Sequence, residues 1–293
     1  MKETMQEEIS SLQDTAIKKY HPDLYLNLMK QCVTDWIYLN PETDGAMSFL
    51  TTVKMFIFAL RKGMNPIGML HHFQSKQLVE KNRLEGYTPF PGRAHTMIGF
   101  KRLETLQFCI EDVLANKVPG DLLEAGVWRG GACIFMRAIL KAYGDQDRTV
   151  WVVDSFQGVP APNRQKYPQD AGWWFHLFDE IAVPIESVKA NFSRYELLDD
   201  QVKFLKGWFR DTLPNSRVEK LAVIRADGDL YESTMDVLSN LYPKLSVGGY
   251  VIIDDYGKID ACRQAVDDYR QAHGIHDKLI QSDFSEFYWQ RSQ

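Results

Sequence analysis

The sequence predicts an α/β protein: a mostly parallel sheet with an antiparallel hairpin at its edge, preceded by a helical N-terminal region. Three observations carry that reading. From residue 121 onward, short apolar runs alternate with helical stretches: DLLEAG, TVWVVD, QVKFLKG, LAVIRAD and GYVIID. A parallel sheet with crossover helices produces this alternation. Before residue 115, apolar residues instead recur at every fourth position, a helical period. Two of the apolar runs end in aspartate pairs, Asp227 with Asp229 and Asp254 with Asp255. In open α/β sheets, ligands sit outside the carboxyl ends of the strands.

Taken in order, the elements follow from local pattern. The opening stretch MKETMQEEISSLQD is polar and acidic, unlike a signal peptide. In DLYLNLMKQCVTDWIY, Leu24, Leu28 and Cys32 recur four apart, as do Met29, Val33 and Ile37; these predict one apolar helix face. Met47 to Leu60 reads as a buried or interface helix, since Lys54 interrupts it and a membrane span needs about 20 residues. Pro66, Gly86, Pro89, Pro91 and Gly92 punctuate the segment that follows. Arg102 to Asn116 reads as an amphipathic helix stopped by Pro119-Gly120. Between Asp154 and Gln201 lies far more chain than one crossover helix needs, and it carries Pro160, Pro162, Pro168, Gly172 and the pair Trp173-Trp174. Long loops in compact domains are usually functional, so a lid is expected over about 156–182, with the tryptophans either covering a ligand or filling a local core. Asp260 to His273 reads as a helix ended by Gly274, and KLIQS with FYWQ as the edge hairpin. The expected organisation is a helical region at 1–117 followed by a sheet domain at 118–293.

Composition excludes several classes. A formal net charge of -5, with scattered basic residues, gives no reason to expect nucleic acid or anionic lipid as partner. Cys32, Cys109, Cys133 and Cys262 show no metal spacing and fit a reducing cytoplasm. Cys109 and Cys133 read as small buried hydrophobes.

The first strand runs into Glu124, Gly126 and then Gly130-Gly131, spaced E-x-G-x-x-x-G-G. Glycines there permit a tight turn and close approach of a ligand to the backbone. Asp154 closes the second strand, where an acidic residue bonds ribose hydroxyls. Together they suggest an adenosyl ligand. A phosphate loop is excluded, because no G-K-[ST] occurs. Asp227 and Asp254 end adjacent strands in this reading, and Asp255 adds a third carboxylate. Gathered carboxylates repel unless something positive sits between them, and Mg²⁺ or another hard divalent cation takes oxygen ligands. Asp229 lies two residues past Asp227 and, in an extended backbone, points to the same side. From there it can take a proton from a substrate hydroxyl. His95 reads as a hydrogen-bonded structural histidine first. Glu232 reads first as a helix-start residue favoured by the dipole. Two other readings compete: a D-x-D glycosyltransferase using a sugar nucleotide, and a non-catalytic interaction protein on the same fold.

The chain resembles the macrocin/mycinamicin-type O-methyltransferases (TylF/MycF family). The resemblance runs through AHTMIGFKRL, PGDLLEAGVWRGGACIFMRAILKAYG, VDSFQG, LKGWFRDTLP, RADGDLYESTMDVLSNLYPKLSVGGYVIIDDYG and ACRQAVDDYR. It covers residues 23–38 and the chain from about residue 90, while about 43–86 looks like an insertion or a variable region. It implies a Rossmann-like class I methyltransferase fold, S-adenosylmethionine as cofactor with Mg²⁺, and a small hydroxylated acceptor, often a natural-product sugar. It also implies a homodimer or larger assembly. Carried over, Glu124 and Gly126 line the methionine side of the cofactor, and Asp154 holds the ribose with Ser155 beside it. Thr96 and Met97 close over the cofactor, and Trp208 and Phe209 lie near the adenine. Asp227, Asp254 and Asp255 bind the metal, and Asp229 is the general base. Because the cofactor residues and the metal carboxylates end different strands, cofactor binding is expected to be independent of metal.

Overall fold

The computed structural model describes residues 22–38, 49–61, 63, 65–66, 76–87 and 92–293. The expected breaks at Pro89 and Pro91, the first two residues of the Met47–Leu60 helix and the acidic N-terminal stretch lie outside the described residues. Among the described residues, the helices α1 over 22–33, α2 Phe49–Arg61, α3 Lys76–Glu85 and α4 Phe100–Ala115 precede the sheet. Then β1 Asp121–Ala125, α5 Gly131–Ala142 and β2 Val150–Asp154 alternate. They are followed by α6 Ile185–Arg194, β3 Val202–Lys206, the short α7 Phe209–Thr212 and β4 Leu221–Ala226. The chain ends with α8 Tyr231–Leu241, β5 Leu245–Ile253, α9 Asp260–Ala272, β6 Ile280–Gln281 and β7 Phe287–Gln290.

The seven strands form one sheet in the order β3-β2-β1-β4-β5-β7-β6. β1 to β5 pair in parallel, and the β7–β6 hairpin joins β5 antiparallel, as the sequence predicts. Strand order reverses at β1, whose neighbours are β2 and β4, and a crevice opens at such a switch point. Alternation sorts the strand residues onto two faces. Leu122, Val152 and Ile252 pack under α1, α4 and α5, while Leu123, Val153 and Ile253 pack under α8 and α9. Buried on both faces, these strands read as near-continuous apolar runs.

One apolar face is corrected. In α1 the buried stripe is Leu26, Met29 and Val33, whereas Leu24 is 71% and Leu28 51% exposed and Ile37 lies outward too. The helix carries apolar residues on two sides, and only docking against α4 decides between them.

The segment after β2 contains three 3-10 turns, at Pro168–Asp170, Phe175–Leu177 and Asp179–Ile181, before α6. It is tied down at both sides. Asp170, fully buried, accepts hydrogen bonds from Tyr231 N (2.6 Å) and Glu232 N (3.2 Å), two donors that the first turn of α8 leaves open. Against α2, Lys54 Nζ meets Asp179 at 3.1 Å and Thr51 hydrogen-bonds Glu180. The two tryptophans divide. Trp173 stacks on Phe175 (5.3 Å between centroids) beside Phe58, while Trp174 lies under the Arg61 guanidinium at 3.8 Å.

Gly126 makes the turn out of β1 with φ of +89°, and a Cβ there would overlap the Asp227 carbonyl oxygen. A side chain must therefore either push β4 away or abandon the turn. Gly126→Ala is expected to lower the melting temperature by several degrees, from about 1–3 kcal/mol of backbone strain plus the clash. A thermal melt indistinguishable from the parent would refute the close approach.

Candidate active site

Every candidate site residue taken from the sequence lines one cavity of about 770 Å³ above the carboxyl edge of the sheet. Thr96, Met97, Glu124, Gly126, Asp154, Ser155, Trp208 and Phe209 share it with Asp227, Asp229, Asp254 and Asp255. Trp173 also faces it, with Met55 and Phe58 of α2 and Phe178 of the segment after β2. So α2 forms part of the wall. His95 does not line the cavity.

The β1 side is built from backbone. Asp154 accepts hydrogen bonds from Val127 N (2.8 Å) and Phe156 N (2.6 Å), which fixes the turns after β1 and β2 to each other. Burial raises its pKa and these bonds oppose the rise. Gly131 N donates to the His95 carbonyl at 2.8 Å, which anchors the segment carrying Thr96 and Met97. The His95 ring lies 2.9 Å from the Tyr195 hydroxyl. It is the structural histidine expected.

The β4–β5 side is acidic. Asp227, Asp254 and Asp255 can each offer an oxygen within 4.8 Å of the others. The sheet ladder sets this spacing: Asp227 N donates to Ala125 O (2.8 Å), and Asp254 N to Ala226 O (3.1 Å). Burial and then the neighbouring carboxylates push Asp227 and Asp229 well above the usual range, and Asp255 up to about 6. After burial, the Asp255 carboxylate is the strongest influence raising Asp229. Asp254 differs: burial alone would raise it, but Arg102 and Arg225 hold it below the carboxylate range. An all-oxygen donor set crowded enough to retain protons fits a hard divalent cation. The geometry of Asp229 is not the extended one expected. β4 ends at Ala226, and Asp229 takes φ of +54°, a left-handed turn conformation that aspartate tolerates. Its side chain reaches the cavity by that turn.

Sequence reasoning missed the arginines beneath the carboxylates. Arg225, 1% exposed, stands directly opposite Glu124 in the β1–β4 register. Its Nη1 donates to Glu124 Oε1 (2.6 Å) and Asp227 Oδ2 (3.0 Å), and its Nη2 to Asp254. Arg102 of α4 donates to Asp254 Oδ2 (2.7 Å) and Asp283 Oδ2 (2.6 Å). Glu286 lies 3.9 Å from Arg225, and burial pushes it up to about 8 against both arginines. The signal was a charged residue inside the apolar run LAVIRAD. Cys133 is buried, yet it is more than a small hydrophobe: its thiol donates to Glu124 Oε2 at 2.9 Å.

The macrocin O-methyltransferase (TylF) family matches residues 22–291. The chain belongs to that family. Mycinamicin III 3''-O-methyltransferase from Micromonospora griseorubida is 48% identical over 273 residues, 92% of this chain and 97% of that protein. The 8-demethyl-8-(2,3-dimethoxy-alpha-L-rhamnosyl)-tetracenomycin-C 4'-O-methyltransferase of Streptomyces olivaceus is 48% identical over 271 residues, 92% of this chain and 93% of that one. The solved structure of the O-methyltransferase NovP superposes with a TM-score of 0.79 at 47% identity, over 93% of this chain and 100% of that chain. A macrocin-type O-methyltransferase is an enzyme, and its methyl donor is S-adenosylmethionine. The glycosyltransferase and non-catalytic readings are set aside. Among the described residues of this family member, no helix is long and apolar enough to cross a membrane.

His95 gives the family member a testable acid response. Burial, then Arg194 and Arg129, lower its pKa to about 4, against roughly 6.5 unfolded. Between those values the unfolded chain binds more protons, so this group's contribution to stability falls as pH falls. Melting temperatures of wild type and His95→Gln, followed from pH 7 to pH 4, are expected to converge because the wild type declines more steeply. Parallel curves would contradict a neutral His95.

Proposed function

We propose that this enzyme transfers a methyl group to a sugar hydroxyl of a natural product, with Mg²⁺ or a similar hard cation at Asp227, Asp254 and Asp255. The observation that carries the reading is the meeting of those three carboxylates within 4.8 Å in the cavity that also holds Glu124 and Asp154. The relatives named for a rhamnosyl 4'-hydroxyl and a mycinamicin 3''-hydroxyl support a sugar acceptor.

When bound, the cation lowers the pKa of a hydroxyl oxygen beside it, and S-adenosylmethionine supplies the methyl group. The chain's own residues do the rest. Glu124 and Gly126 line the methionine side of the cofactor, Asp154 holds the ribose with Ser155 beside it, and Trp208 and Phe209 flank the adenine. Thr96 and Met97 close that pocket from the segment before α4. Asp229 takes the acceptor proton on its carboxylate. The N-terminal helices and the lid over about 156–182 exclude water and frame the acceptor. Two copies or more of the chain in the cytoplasm complete the reading.

S-adenosylhomocysteine is expected to raise the melting temperature even in EDTA. With an acceptor found by labelled-cofactor screening, EDTA should abolish turnover and Mg²⁺ restore it. Full turnover after exhaustive metal stripping would sink the metal assignment, and no thermal shift up to millimolar S-adenosylhomocysteine would sink the cofactor assignment.

Asp229→Asn keeps shape and tolerates the left-handed turn, but removes the base. The expected loss in kcat is about 10²- to 10⁴-fold, with metal and cofactor affinities nearly unchanged and partial rescue as pH rises. If the variant instead loses metal as Asp227→Ala does, Asp229 is a ligand and the proton goes elsewhere.

A further inference from the structure

The cofactor half and the metal half end different strands, but one side chain touches both. Arg225 holds Glu124 on β1 at 2.6 Å, Asp227 after β4 at 3.0 Å, and Asp254 after β5. It is 1% exposed, so water cannot replace any carboxylate that leaves it. The partners are themselves constrained. The other oxygen of Glu124 accepts from the Cys133 thiol, and the other oxygen of Asp254 accepts from Arg102. One guanidinium is therefore shared among three carboxylates with little freedom to rotate away.

We infer that Arg225 couples the two halves, so that a cation at Asp227 and Asp254 weakens the hold of Glu124 on the amino group of the cofactor, and the reverse. This rests on the proposed assignment of those carboxylates. A cation draws Asp227 and Asp254 toward itself and repels the guanidinium. Arg225 then leans on Glu124, the partner left to it on β1, and neutralises that carboxylate more completely. Less negative charge faces an ammonium in the pocket. By linkage, the factor is the same in both directions. Arg225 acts here as a positioning residue. The coupling runs through the cross-strand register of Glu124 and Arg225, although the two sets of carboxylates end different strands.

The test is isothermal titration of Mg²⁺ into the full-length protein, free and saturated with S-adenosylhomocysteine. In wild type, the saturated protein is expected to bind Mg²⁺ about fivefold more weakly. Arg225→Lys keeps the charge but cannot bridge three carboxylates; both ligands should still bind, with the ratio falling to about one. A merely structural arginine would alter each affinity without altering their ratio. Glu124→Gln, which breaks the bridge from the other end, should also bring the ratio to about one and serves if the lysine variant does not fold. A wild-type ratio within about twofold of one, tighter Mg²⁺ binding with the ligand present, or a ratio that survives in the variants overturns the coupling. Failure of wild type to bind S-adenosylhomocysteine or Mg²⁺ at all would instead overturn the proposed function.

Discussion

Like-charge repulsion at the carboxyl edge of the sheet is the constraint around which this molecule is arranged. Two carboxylates about 5 Å apart repel by roughly 3–4 kcal/mol at an effective dielectric constant near 20. A folded domain is stable by only about 5–15 kcal/mol. Several such pairs left uncompensated would therefore threaten the fold. The structure answers from below with Arg102 and Arg225, which keep Asp254 charged. From within it answers with protons, since Asp227, Asp229 and Asp255 are raised. A divalent cation is a third answer, and it alone leaves all the carboxylates ionised. The two arginines offset part of the repulsion at Asp254 through their ion pairs.

That compensation is possible because the register sets Arg225 beside Glu124. A residue on the same strand but the other face would point toward α8 and reach none of these groups. The ion pairs are buried, and a buried pair is weak evidence for stability because desolvation offsets much of the attraction. Their use here lies in geometry. Asp254 is gripped through both oxygens by two arginines from different elements, so its orientation is fixed by α4 and β4 together. Glu124 is gripped between Arg225 and Cys133.

The fold and most of the cavity were legible in the sequence because they rest on period and on strand ends. Five parallel strands, the edge hairpin and helices α4 and α9 each follow from local pattern, and the aspartate pairs sit where apolar runs stop. What could not be read depends on distance along the chain. The pairing of Glu124 with Arg225 needs the β1–β4 register, and Arg102 reaches Asp254 across 152 positions. The burial of Leu26 rather than Leu24 is decided by docking, since both belong to a plausible helical stripe. Alternation gives the wrong backbone at Asp229 because it is carried past Ala226, where the strand ends and the chain turns.

That turn shows how distant parts fix one side chain of the cavity. Helix α8 begins after Leu230, which offers no side-chain cap, and its first donors are taken instead by Asp170 from the segment after β2. A cap of this kind is worth about 0.5–2 kcal/mol. At its other end the turn is pinned by Asp227 N on the Ala125 carbonyl, against the glycine that lets β1 come so close. Held from both sides, the short span between must reverse within two residues. It does so by driving Asp229 into the left-handed region, at a cost that only a fixed surround can sustain. The segment after β2, the glycine turn and the sheet ladder therefore act on one carboxyl group, that of Asp229, and hold it against the cavity beside Asp255.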